Sequence, residues 1–209
     1  LFVLSMFFCA VHSPLHAEDI DTVFANAMDY LQLQTALDLA ESNMKADYIS
    51  IGEGTISLAG LDQHFHYEPE YRPDPGLEEH YPLTIAGAGP DKTIIDGDGG
   101  SIFFILTGNL SDDFGANISI SGICFRNVTD GIGSALGIGT KKASIRVYDC
   151  KFFNCKGLEG SGLYAGTGGS DITGSVYVGK CTVDSCSGAM NLGAQNIITV
   201  ENCTFTNNT

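Results

Sequence analysis

Short alternating runs of apolar and polar residues dominate the second half of the chain, and four of these runs align with one another without gaps. The aligned runs are residues 117–127, 144–154, 175–185 and 197–207. In each run two apolar residues stand two positions apart. The alternation then shifts by one residue, and a second pair of core-facing residues follows, again two positions apart. Alternation with a period of two predicts strands that bury one face. Because the runs share one register, the sequence predicts strands that stack rung upon rung, as in a solenoid.

The alignment also predicts which side chains face the core. The inward columns are Ile118, Ile145, Val176 and Ile198; Ile120, Val147, Val178 and Val200; Ile123, Cys150, Cys181 and Cys203; and Phe125, Phe152, Val183 and Phe205. Positions between these columns point outward, because successive side chains of a strand alternate. A last column, Asn127, Asn154, Ser185 and Asn207, falls at a tight bend. We expect its asparagines to form a ladder by hydrogen-bonding the backbone of neighbouring rungs.

Shorter patterns predict the elements before the aligned runs. Residues at helical spacing predict one amphipathic helix, and these are Leu33, Ala36, Leu37 and Ala40. The stretch 49–58 alternates on both sides of a Gly-Glu-Gly turn, which predicts two short strands. Residues 62–82 are rich in aromatic, acidic and proline residues without a period, so we predict a loop excursion there.

The two ends of the chain carry separate expectations. Residues 1–17 form a short apolar run that ends in Ala17, which is typical of a secretory signal peptide truncated at its start. The sequence therefore predicts export to the cell surface or the medium, and the run is too short for a membrane-spanning helix. The last residues stop in the middle of the repeat pattern, so we expect further coils beyond residue 209.

Taken together, these features resemble the right-handed parallel β-helix proteins of the pectin-lyase-like kind, in their secreted or cell-surface bacterial type. The rungs of the form I-x-I/V-x-x-C-x-F-x-N, the asparagine column and a helix leading into "YISIGEGTISL" carry the resemblance. It implies an all-β right-handed solenoid, with a linker and amphipathic capping helix at 18–45 and β-helix coils at 46–209. The family includes lyases, hydrolases and non-catalytic surface proteins, so the resemblance implies a fold and not an activity.

The charge balance narrows the choice of partners. The chain has 10 Lys and Arg residues against 25 Asp and Glu residues, a formal net charge of −15. Nucleic acids and anionic lipids bind clusters of cations, so this composition argues against both as partners. An acidic polysaccharide would need a local group of basic residues.

The cysteines admit two interpretations. A zinc site is rejected, because the column of Cys155 and Cys186 holds Val128 in the first run and Asn208 in the fourth. Disulfides between Cys150 and Cys181, or between Cys155 and Cys186, fit the spacing of about 4.8 Å between rungs. Buried free thiols that pack as small apolar groups are the favoured alternative.

The outward positions supply the candidate chemistry. Those that combine charge and aromatic rings are Arg146, Tyr148, Asp149, Lys151, Tyr177, Lys180, Asp184 and Glu201. The leading hypothesis is a scaffold for adhesion or for binding a polysaccharide or cell-surface glycan, with Tyr148, Tyr177 and Glu201 as ligand contacts and no cofactor. The alternative is a polysaccharide lyase or hydrolase with Arg146, Lys151 and Asp184 as catalytic groups, and Ca²⁺ as a candidate cofactor.

Three further acidic or histidine-rich segments are weaker metal candidates. They are Asp96 with Asp98, Asp112 with Asp113, and His64 with His66 and His80. Solvated surface residues explain each of them without a metal, and no metal site is predicted.

Overall fold

Most of the described chain consists of parallel strands in three stacked sheets. The computed structural model describes residues 21–25, 29–43, 45–61, 64–68, 81–100, 102–106, 115–129, 135–156, 162–168 and 173–209. The seven-stranded sheet contains β1 (Asp21–Ala25), β2 (Asp47–Ile51), β5 (Leu83–Gly87), β8 (Ile118–Ser121), β11 (Ile145–Tyr148), β14 (Val176–Gly179) and β17 (Ile198–Glu201). The six-stranded sheet contains β3 (Gly54–Ser57), β6 (Thr93–Asp96), β9 (Cys124–Val128), β12 (Lys151–Cys155), β15 (Thr182–Asp184) and β18 (Thr204–Thr206). The five-stranded sheet contains β4 (Phe65–Tyr67), β7 (Phe103–Leu106), β10 (Leu136–Lys141), β13 (Leu163–Gly168) and β16 (Met190–Gly193).

The order of the strands follows the order of the chain. From β2 onward the chain visits the seven-stranded, the six-stranded and the five-stranded sheet in turn, and each visit adds a strand beside the previous one. Every ladder is parallel, so each coil repeats the direction of the coil before it. This arrangement of stacked parallel sheets with one short helix is consistent with a β-helix-like solenoid, as the sequence predicts.

The predicted register is confirmed residue by residue. Ile145 pairs with Ile118 on one side and with Val176 on the other. In the six-stranded sheet Phe152 pairs with Phe125 and Val183. The inward columns are buried through three coils and become exposed in the last described rung, where Ile198, Val200 and Phe205 are each 44–48% accessible. Like side chains therefore stack on like side chains along the core, as the alignment predicts.

The bends between sheets use residues in the left-handed backbone conformation. Asn127, Asn154, Ser185 and Asn207 have φ between 53° and 58°, a region that asparagine tolerates better than most residues. The ladder differs in detail from the expectation, because the amide of Asn154 donates to Oδ1 of Asn127 at 2.9 Å and not to backbone. The amides of Asn127 and Asn207 donate to the carboxylates of Asp96 and Asp184, so each of the three asparagines bonds a side chain of the preceding coil.

The N-terminal helix α1 (Tyr30–Ala40) is capped by Asp29 and buries the apolar face that the sequence predicts. Leu33, Ala36, Leu37 and Ala40 belong to the hydrophobic core. The helix packs against β1, β2 and β4, which are early strands of two sheets. It therefore covers apolar side chains at the N-terminal end of the stack, as predicted for a capping helix.

Two strands lie in segments that were predicted without regular structure. Strand β1 lies in the linker of the segment 18–45 and pairs in parallel with β2. Strand β4 lies in the excursion 62–82 and pairs with β7, with Phe65 and Tyr67 buried. Both are edge strands, and the free hydrogen-bonding edge of the neighbouring rung stabilises them where their own short pattern predicts little.

Some expectations fall on other parts of the chain. The signal peptide at 1–17, Asp112, Asp113 and His80 lie outside the described residues. Across the described ranges no helix is long and apolar enough to cross a membrane.

The helix start provides a first test of stability. The carboxylate of Asp29 accepts hydrogen bonds from the backbone N–H groups of Leu31 and Gln32 at 2.8 and 3.3 Å. Asp29→Ala is expected to lower the free energy of unfolding by about 1 kcal/mol, whereas Asp29→Asn, which still accepts both bonds, should cost much less. Urea unfolding followed by circular dichroism measures both changes. Equal losses in the two variants would contradict a capping role.

Candidate functional site

The best-organised group of outward side chains lies on the seven-stranded sheet. We call it the tyrosine face and define it by Arg146, Tyr148, Tyr177, Lys180 and Glu201. Three successive rungs, β11, β14 and β17, carry these residues or lead directly into them. The guanidinium carbon of Arg146 lies 5.3 Å from the ring centre of Tyr148 and 4.8 Å from that of Tyr177. The face thus combines two aromatic rings with a cation placed over both.

A missing side chain at Gly179 allows this arrangement. Gly179 stands between Tyr148 and Glu201 in one column of the sheet. A Cβ atom at Gly179 would lie 2.7 Å from Cζ of Tyr177, closer than real contacts allow. The ring of Tyr177 therefore leans into the space over Gly179, where it stacks on Tyr148 with ring centres 6.5 Å apart. Its hydroxyl reaches Glu201 and donates to Oε1 at 2.6 Å.

Hydrogen bonds raise the pKa values of two side chains on the tyrosine face. The bond to Glu201 raises the pKa of Tyr177, with smaller contributions from desolvation and from the charge of Glu201. The hydrogen bond with Tyr148 raises the pKa of Lys180, whose ammonium nitrogen lies 5.2 Å from the centre of that ring. Both shifts move the pKa further above neutral pH, where Tyr177 is a neutral phenol and Lys180 is a cation. The face presents two cations, two phenols and one carboxylate.

Two of the predicted site residues lie on a different sheet. Lys151 and Asp184 belong to β12 and β15 of the six-stranded sheet, beyond the bend that follows Tyr148. Asp184 accepts from the amide of Asn207 at 2.9 Å and from the hydroxyl of Ser185 at 3.1 Å, and the bond from Asn207 is the main cause of its lowered pKa. The structure therefore brings Arg146, Tyr148, Tyr177, Lys180 and Glu201 together and places Lys151 and Asp184 apart from them.

The cysteines form repeated hydrogen bonds to the backbone. All six described cysteines are free thiols. In both cysteine columns the thiol donates to the carbonyl oxygen two residues earlier, as Cys150 does to Tyr148 at 3.4 Å and Cys155 to Phe153 at 3.5 Å. Burial is the main cause of the raised pKa of Cys150, and its neighbour Cys181 adds to the shift. The four buried members of these columns therefore pack as thiols that donate to carbonyl groups at the bends, and they are Cys150, Cys155, Cys181 and Cys186.

The described metal candidates have other partners. Asp96 accepts from Nε of Arg126 at 2.6 Å and from the amide of Asn127 at 3.0 Å. Nε2 of His66 lies 3.1 Å from Glu68, and its ring centre lies 6.3 Å from that of His64. Within the described ranges, no three His, Cys, Asp or Glu side chains converge in a way that would hold a metal ion.

Sequence reasoning missed the pair of Arg126 and Asp96. Asp96 on β6 pairs with Arg126 on β9, and β6 lies one rung before the first aligned run. Extending the alignment to "TIID" at 93–96 would have placed Asp96 opposite Arg126, because Ile95 stands in the same column as Phe125. The signal was therefore present in the strand pattern of the segment 93–96.

Comparisons with other proteins identify no family for this chain. No protein-family model, no curated protein and no solved structure matches the chain.

Proposed function

We propose that this protein is an exported, right-handed parallel β-helix of the pectin-lyase-like kind that binds acidic glycans through the tyrosine face, without catalysis. The cyclic order of parallel strands supports the fold, and nearly all crossovers between parallel strands are right-handed. The apolar run ending in Ala17 supports export. The observation that carries the binding hypothesis is the placement of Arg146 over the rings of Tyr148 and Tyr177.

The chemistry of the tyrosine face suits an acidic sugar chain. Arg146 and Lys180 can pair with carboxylate or sulfate groups, and Arg146 is exposed to solvent. The phenol of Tyr177 and the carboxylate of Glu201 can bond sugar hydroxyl groups, and aromatic rings provide apolar surface. Three rungs at a spacing of about 4.8 Å span about 10 Å, which fits a short oligosaccharide better than one ring.

Direct binding measurements test the proposal. Acidic oligosaccharides of two to four residues are expected to bind the intact chain in calorimetry, and neutral ones of equal length are expected to bind much more weakly. Arg146→Ala should weaken binding by about tenfold or more, because a charge-assisted hydrogen bond is lost. Tyr177→Ala should also weaken binding, since it removes a ring beneath Arg146 and the donor to Glu201.

A second exposed tyrosine provides the matched control. Tyr164 lies on the five-stranded sheet and is 43% accessible. Tyr164→Ala should leave glycan binding unchanged. Equal losses for Tyr164→Ala and Tyr177→Ala, or no binding of acidic glycans at all, would refute binding through the tyrosine face.

An activity assay separates binding from the enzymatic alternative. A polysaccharide lyase would release unsaturated uronides, which absorb ultraviolet light, from acidic polysaccharides. We expect no such release with or without Ca²⁺. Release that is abolished by Arg146→Ala or Lys151→Ala would establish the lyase alternative.

A further inference from the structure

A surface pocket of about 250 Å³ opens on the outer side of the six-stranded sheet. We call it the Cys124 pocket. Ile94, Cys124 and Lys151 stand side by side on three consecutive rungs, and Arg126 and Phe153 stand beside each other in the next column. All five residues line the pocket. It lies on a different sheet from the tyrosine face and shares no residue with it.

The Cys124 pocket brings two cationic side chains together in an acidic protein. Lys151 and Arg126 both line it, although the whole chain has only 10 Lys and Arg residues. Arg126 bonds Asp96 through Nε at 2.6 Å. Within the described part of the chain no bond from its terminal nitrogens accompanies this one, so they can serve a ligand. An oxyanion in the pocket would meet two cations at once.

The one acidic residue of the pocket interacts weakly with its cation. Asp91 lies in the turn between β5 and β6, next to Pro90, and its Oδ1 lies 3.8 Å from Nζ of Lys151. The Asp91 side chain is 88% accessible. Exposed ion pairs of this length contribute little, because water competes for both partners. A ligand carboxylate can therefore replace Asp91 beside Lys151 at small cost.

The rest of the lining is apolar. Cys124 points outward, since its neighbour Phe125 faces the core, yet it is only 6% accessible, and Ile94 and Lys151 flank it on the neighbouring rungs. Burial raises the pKa of the Cys124 thiol, and the charges of Lys151 and Arg126 oppose that shift. Ile94, Phe153 and Pro90 add carbon surface. The pocket thus offers a cationic side and an apolar base.

We propose that the Cys124 pocket binds a single ring that carries a carboxylate, with Lys151 and Arg126 as its cationic partners. Pockets for drug-sized ligands have volumes of about 300–1,000 Å³, so this smaller pocket fits one ring and not a chain. The proposal does not depend on glycan binding by the tyrosine face.

Titration of the ¹⁵N-labelled chain with galacturonate, and separately with galactose, tests this site. Galacturonate is expected to shift the amide resonances of Asp91, Cys124, Arg126, Lys151 and Phe153, whereas galactose should not. Lys151→Gln should weaken galacturonate binding by about tenfold, through loss of a charged partner. Asp91→Asn should strengthen it by about two- to threefold, because it removes a competing carboxylate.

Lys156 supplies the control for charge, since it is exposed and directly follows β12. Lys156→Gln should leave the affinity for galacturonate unchanged. Equal shifts with galactose would overturn recognition of the carboxylate. Shifts confined to Tyr148 and Tyr177 would overturn the Cys124 pocket while leaving the tyrosine face intact, and weakening by Asp91→Asn would overturn the assigned roles.

Discussion

Replacing Phe152 with alanine is expected to lower the free energy of unfolding by about 3–5 kcal/mol, the range typical of a buried aromatic ring removed from a core. Phe152 is fully buried and stacks on Phe125, with ring centres 5.4 Å apart and planes 14° apart. On its other side it pairs with Val183. Because neighbouring rungs hold the backbone on both sides, the cavity cannot close by collapse, and the loss should fall near the upper end of that range.

The neighbouring residue on the same strand is the matched control for this prediction. Phe153 points outward and is 39% accessible. Phe153→Ala should cost well under half as much as Phe152→Ala, because it removes a partly hydrated ring and leaves no closed cavity. Urea unfolding followed by circular dichroism suits both variants, as the chain contains no tryptophan. Similar losses for the two variants would contradict the inward register of β12.

Replacing Asp96 with asparagine is expected to lower the free energy of unfolding at pH 7 by about 1.5–3 kcal/mol, the usual contribution of hydrogen bonds to a charged group. Partial burial opposes the ionisation of Asp96, but hydrogen bonds from Asn127, from Arg126 and from the N–H of Asp98 outweigh it and lower its pKa. The carboxylate is 14% accessible and bonds Nε of Arg126 at 2.6 Å. The variant keeps the shape of the side chain but loses the charge that Arg126 faces.

The lowered pKa of Asp96 also predicts how this loss depends on pH. A carboxyl group with a lower pKa in the folded state stabilises the fold above its unfolded pKa of about 3.9 and loses this effect as the pH falls through its folded pKa. The difference between the natural chain and Asp96→Asn should therefore be largest above about pH 5 and shrink toward pH 3. A difference that stays constant from pH 7 to pH 3 would contradict the role of the charge.

The control for Asp96 lies two residues further along the chain. Asp98 has φ of 44°, a conformation that asparagine adopts readily. Asp98→Asn should change the free energy of unfolding by no more than about 0.5 kcal/mol, because its side chain is at the surface. A comparable loss there would show that carboxylates in this turn act through a general charge effect and not through Arg126.

Much of the fold is predictable from the sequence because its repeats obey one simple rule. Each rung alternates inward and outward residues, and the bend shifts the phase by one residue, so aligning Ile118 with Ile145 and Phe125 with Phe152 predicts the ladders that the structure has. Strands β1 and β4 were not predicted, since runs of five and three residues carry too little periodicity. Their pairing depends on the edge that the neighbouring rung offers.

The candidate sites were less predictable, because distance along the chain does not tell which sheet a side chain reaches. Arg146 and Lys151 are five positions apart, yet the bend at Asp149, with φ of 52°, sends them to different sheets. Arg126 and Asp96 are 30 positions apart and are in contact. Lys151 accordingly joins Cys124 in a pocket that no local motif indicates.

The sequence by itself determined the rungs, their register and the inward columns, because burial acts on every repeat with the same period. Only the tertiary structure decided which outward side chains meet. Tyr177 reaches Glu201 because Gly179 leaves room above the sheet, and Lys151 and Arg126 line one pocket because two rungs align across the six-stranded sheet. Such contacts form between columns and across bends. There, side-chain size and backbone direction determine which residues touch, and the repeat pattern does not predict either of them.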